Sequence, residues 1–279
     1  MVLLVVVVIL IGIILPSLGG SHRPSRQIRD SANIRGIHQG MVLFAQNNND
    51  RYPLPSVLDK ANHTAALPEG ADPTSKDTTS NIYSLLIYGT FFGPEICVSP
   101  AESNGAITMD SGFEFSTPSG AADPKLALWD PGFNADFTAS GPKGRERSHF
   151  SYAHMLPSGP RLETWANTFR ATEAVVGNRG PLISGLDAKH NAAFNTKSNT
   201  LLIHGSKTTW EGNIAYNDNH VSYESRLDPE TSPYTDDKGK VWFDHLFFDE
   251  QDDPTGKNNL LGNFNRAGPV PTAFKAIWD

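Results

Sequence analysis

Hydrophobic and polar positions divide this chain into three unlike stretches. Residues Met1 to Leu18 carry no charge and are mostly Val, Leu and Ile. Eighteen residues at about 1.5 Å each cover about 27 Å as a helix, close to a hydrocarbon core of about 30 Å, so the run predicts a transmembrane helix over residues 1–20. A polar stretch follows in which Ile34, Ile37, Met41 and Phe44 recur three or four apart, the spacing of one helical face. Arg26, Arg29, Asp30, Arg35 and Gln39 fall largely off that stripe. Asn47-Asn48-Asn49-Asp50 and then Pro53 end it, because Asn and Asp favour turns and proline cannot continue a helix. Residues 21–50 are therefore expected to be an amphipathic helix continuing the first, and residues 51–279 a separate head.

Within the head the period changes. Asn81 to Tyr88 suits a short helix with Ile82, Leu85 and Leu86 on one face. Residues 101–147 show no period and are rich in Gly, Pro, Asp and Ser, which predicts a surface excursion. His149 to His154 alternates ring-bearing and small residues, and Ala174-Val175-Val176 and Pro181-Leu182-Ile183 are short apolar runs, so all three are expected strands. The clearest module is Thr200 to His204 followed by Gly212 to Tyr223. It predicts a hairpin turning at Asn217-Asp218-Asn219, with Ile214 and Tyr216 facing Val221 and Tyr223. The expected fold class is α+β: a long N-terminal helix, membrane half plus amphipathic half, packed on a β-rich globular head.

Composition narrows the function classes. A net charge of −7 disfavours a nucleic-acid binder, which needs a basic face to neutralise phosphates. The single cysteine, Cys97, leaves no intrachain disulfide and reads as a small buried hydrophobe. Twenty prolines and 24 glycines argue against long helices beyond the first fifth of the chain. The late aromatics Trp242, Phe243, Phe247, Phe248, Phe264, Phe274 and Trp278 are read as core of the last strands.

Three stretches carry a resemblance. Leu4 to Gly19 is similar to the membrane half of the N-terminal helix of type IV pilins and type II secretion pseudopilins. Residues 26–53, ending in Asn47-Asn48-Asn49-Asp50-Arg51-Tyr52-Pro53, resemble the stretch that follows it. Asp218, His220 and Val221 match the closing hairpin of the large group whose heads carry an H-x9-D-G motif, with Asn219 in place of glycine. The basic leader, cleavage site and glutamate of that superfamily are not found ahead of Leu4. The resemblance implies a prepilin-like structural or assembly subunit of a pilus-like or type II secretion system. It would be anchored in the bilayer through residues 1–18, with its head in the periplasm or outside the cell and other pilin-like subunits as partners. Two alternatives stay open: a non-assembling tethered binding module and, more weakly, a tethered hydrolase.

No enzyme motif points to catalysis. Ser140-Gly141-Pro142-Lys143 has the spacing of a Ser-x-x-Lys nucleophile, but Gly-Pro breaks the helical turn that chemistry needs. His190, His204 and His220 lack metal-ligand spacing. Oxygen ligands crowd instead at Asp249, Glu250, Asp252 and Asp253, between Asp244 and Asn258-Asn259, which makes calcium the candidate ion of a C-terminal loop. No catalytic residue is assigned.

Overall fold

The structure, a computed structural model, describes residues 22–279. Helix α1 (His22–Gln46) places Ile34, Ile37, Met41 and Phe44 in the core, as their spacing requires. Gly40 lets the helix approach Phe91 and Phe92: a Cβ there would lie 2.5 Å from the Phe92 ring. The polar run after Gln46 stops the helix. Asn48 donates its side-chain amide to the Phe44 carbonyl at 2.8 Å, and Asn49 and Asp50 adopt left-handed angles (φ 54° and 58°). Two shorter helices follow, α2 (Pro55–Leu58) and α3 (Thr79–Tyr88). The Thr78 hydroxyl caps α3, and its Ile82, Leu85 and Leu86 are buried.

Ten strands follow in chain order: β1 (Tyr152–Met155), β2 (Ala174–Asn178), β3 (Ile183–Leu186), β4 (Ala192–Phe194), β5 (Gly212–Tyr216), β6 (Val221–Glu224), β7 (Pro233–Thr235), β8 (Val241–Phe243), β9 (Leu261–Arg266) and β10 (Lys275–Ile277). Six form one antiparallel sheet in the order β10-β9-β1-β2-β5-β6, and β3-β4 and β7-β8 are separate hairpins. Helix α1 packs on β5, β2 and β6, and α3 on β9. Strands β1, β2 and β5 are buried on both faces, which explains why they read as nearly continuous apolar or small runs.

Several expectations change. The predicted α+β fold, led by one long helix with a membrane half and an amphipathic half, gives way to a β-rich domain built on the six-stranded antiparallel sheet. Among the described residues no helix is long and apolar enough to cross a membrane. The physical reason is visible in α1: Arg26, Arg29, Asp30 and Arg35 interrupt it, and its single apolar stripe is used against the sheet. The transmembrane segment expected over residues 1–20 lies outside the described residues. With no spanning helix described, the single-pass membrane location finds no support.

At the β5–β6 hairpin, Ala215 pairs with Val221 and Asn213 with Tyr223, one residue out of the expected facing, because Tyr216 N–H donates to the His220 carbonyl at 3.0 Å and closes the turn around Asn217–Asn219. Residues 199–202 form a 3₁₀ turn. Residues 101–147 contain no helix or strand, yet Trp129, Phe133 and Ala135 are buried, so the stretch is part of the core and not a surface excursion. Arg145 pins it from within by pairing with both Asp110 and Asp130.

Candidate functional site

Two buried polar anchors hold α1 on the sheet. The first is Asp30, which is fully buried although the helical pattern put it off the apolar face. Its carboxylate accepts from the Tyr152 hydroxyl at 3.0 Å and the Asn213 amide at 3.0 Å, and pairs with His204 Nε2 at 2.7 Å. Burial alone would raise its pKa; the hydrogen bond and charge of His204, with further donors, outweigh burial and hold it below the usual carboxylate range. The second anchor is His38, also fully buried, whose ring bonds the Tyr52 hydroxyl and the Asn219 side-chain oxygen, both at 3.0 Å. Tyr52 in turn donates to Asn217 at 2.6 Å, and Asn217 donates to Glu173 at 3.1 Å. Asn219 takes a left-handed angle (φ 68°), which is how asparagine serves at a turn position that commonly holds glycine. The β5–β6 turn thus forms part of the seat of α1.

The predicted calcium residues go separate ways. Asp249 pairs with Arg161, Asp252 accepts from the Tyr234 hydroxyl at 2.9 Å, and Asp253 accepts from the Thr255 and Asn258 backbone. Glu250 turns inward to accept from His245 and, at 2.7 Å, from the Asn258 amide. Among the described residues no group of three or more His, Cys, Asp or Glu side chains is placed to hold a metal ion. His190 stacks on Trp242, His204 serves Asp30, and His220 pairs with Asp218, so these three do not converge. Around Ser140 and Lys143 the chain makes turns, with Arg145 N donating to Pro142 O, and no helix joins the two side chains.

Asp244, which the sequence places just ahead of this loop, is buried. One of its buried oxygens accepts from Asn259, while the other has no hydrogen-bond donor and Glu250 is its neighbour. Burial and then the Glu250 charge push the Asp244 carboxyl well above its ordinary range. Asp30 and His38 carry no local signal of these roles; their partners His204 and Asn219 lie more than 170 residues away in the chain.

An apolar cleft of about 560 Å³ opens at the C-terminal end of α1. Tyr52 and Trp165 meet edge to face at its floor with ring centroids 5.6 Å apart, and Phe44, Leu54 and Leu58 line its sides. Val57 and Leu162 stand on its rim, 54% and 41% exposed. The Asn47–Asn49 turn and Arg51 complete the rim, and Arg51 donates to the Leu162 carbonyl at 2.7 Å.

Charge is unevenly placed. Helix α1 carries four arginines against Asp30 alone; removing these from the chain's 23 basic and 30 acidic residues leaves 19 against 29. Arg26 and Arg29 are exposed near the start of β5, because Asn213 donates to the Gln27 carbonyl at 3.4 Å. Residues 233–259, with seven acidic side chains against three lysines, reach both ends of the sheet: Asn259 donates to the carbonyl of Thr172 just before β2, and Phe247 packs on Trp210 just before β5.

No protein family, curated protein or solved structure matches this chain. The prepilin-type reading of the N-terminus therefore finds no support from relatives, and none from the described helices.

Proposed function

We propose that this protein is a structural assembly subunit that associates with further copies of itself. The observation that carries this is the charge asymmetry of the chain: α1 bears four arginines against Asp30, whereas the remainder has 19 basic against 29 acidic residues. Among the described residues Arg29 and Arg35 form no ion pair, although both are exposed on α1. A basic helix face and a net acidic remainder on one molecule favour head-to-tail contacts, which extend rather than close unless the rotation returns to the start.

Sedimentation velocity across protein concentration and salt tests the reading. Species heavier than the 30.4 kDa chain are expected at about 50 mM salt and should recede by 500 mM, where the screening length is about 4 Å. Arg29→Glu combined with Arg35→Glu should weaken association at low salt. A single 30 kDa species under all conditions would remove the proposal. The apolar cleft favours a second reading, a binding module for a separate apolar peptide, and that reading predicts no salt-sensitive self-association.

A further inference from the structure

We propose that the cleft at the C-terminal end of α1 receives apolar side chains from the Met1–Leu18 segment of a second copy. The inference rests on the assembly reading and names the contact that would give it direction. Three observations meet here. The cleft walls are apolar and aromatic, with Phe44, Leu54, Leu58 and Trp165 around a volume of about 560 Å³. That volume lies inside the range of about 300–1,000 Å³ that enclosed ligand sites use, enough for a few aliphatic side chains. The chain itself supplies such side chains in an uncharged run of Val, Leu and Ile.

The third observation is position. The apolar run is joined to the N-terminal end of α1, whereas the cleft is at its C-terminal end, and a 25-residue helix separates the two by about 37 Å. A donor at one end and a receptor at the other make a heterologous contact between copies. Apolar burial supplies the affinity, and the head-to-tail placement of donor and receptor sets the direction.

The test is a complementation experiment with the full chain. One variant closes the receptor with Val57→Glu and Leu162→Glu, both at exposed rim positions. The other spoils the donor with Val7→Glu and Ile9→Glu. Each alone should need at least tenfold more protein to associate than the unmodified chain, because a carboxylate would be carried into an apolar site. Mixed, they should form a dimer of about 61 kDa, twice the chain mass, and grow no further, since one donor and one receptor remain. Recovery in the mixture also shows that both variants fold. Val57→Asn, a milder rim change, should weaken association several-fold and covers the case in which the double variant is unstable. If the receptor variants associate as well as the unmodified chain, the cleft is not the receptor and this inference falls while the assembly reading stands. If the mixture stays monomeric with both variants folded, donor and receptor are not complementary between copies and the inference falls. If the unmodified chain never associates, the assembly reading itself is lost.

Discussion

Asp244 is the residue whose chemistry departs most from its type. It is buried beside Glu250 with one oxygen lacking a donor, and burial followed by the Glu250 charge raises its pKa well above the ordinary value of 3.8. In the unfolded chain the same carboxyl ionises near pH 4. An acid whose folded pKa is raised contributes its full stability below the unfolded value, and that stability is lost as pH rises toward the folded one. Asp244→Asn keeps an oxygen for the Asn259 amide and places an uncharged donor beside Glu250. The variant should melt higher than the unmodified chain at pH 8, with the difference vanishing toward pH 4. Parallel melting curves across that range would show that Asp244 does not carry the proton. Nothing in the local sequence marks this pair: an acidic run of the same composition is more often a solvated loop, and the decisive partner, Asn259, is fifteen residues away.

Among the elements, those held by near neighbours were legible and those held by distant ones were not. The Ile34-Ile37-Met41-Phe44 stripe and the Ile82-Leu85-Leu86 face could be read from spacing, because helical period is a local property. The seat of α1 could not, since Asp30 meets His204 and His38 meets Asn219 across more than 170 residues. The long stretch 101–147 has no period at all, and its order comes from one cation. Arg145 is mostly buried and spans Asp110 and Asp130, whose side chains are almost wholly enclosed. Removing it leaves two buried carboxylates without their counter-charge, a change that costs about 3–5 kcal/mol when a single pair is broken. Arg145→Met is therefore expected to lower the denaturation midpoint and to make residues 101–147 the first site of limited proteolysis. Cleavage spread evenly over the chain would contradict that role. The candidate site was not legible: the cleft, assembled from the end of α1, from α2 and from the 162–165 turn, has no counterpart in any single stretch.

For the molecule as a whole, acid is the expected weak side. Burial depresses the His154 pKa from 6.5 to about 4, only partly offset by its hydrogen bond to the Met155 carbonyl, and burial lowers His38 as well. A group with a depressed folded pKa contributes stability that is present above its unfolded value and lost as pH falls toward the folded one. For His154 that window runs from about pH 6.5 to pH 4 and is worth about 3 kcal/mol. Asp30, also depressed, adds a further loss below about pH 4. Urea denaturation should therefore show stability falling from pH 6.5 downward, and His154→Gln should flatten the part between 6.5 and 4. Flat stability over that range would mean that His154 is not buried in its neutral form.

The docking of α1 on β5 also has a consequence in time. The helix ends at Gln46, yet β5 begins at Gly212, so 165 residues must be polymerised between the helix and its seat. At about 5–20 residues per second, the apolar stripe of α1 spends about 8–33 s on the ribosome before the strand that covers it has been made. A newly made chain therefore passes through a period in which Ile34, Ile37, Met41 and Phe44 face water. During that interval the nascent chain presents the kind of exposed apolar surface that chaperones shield.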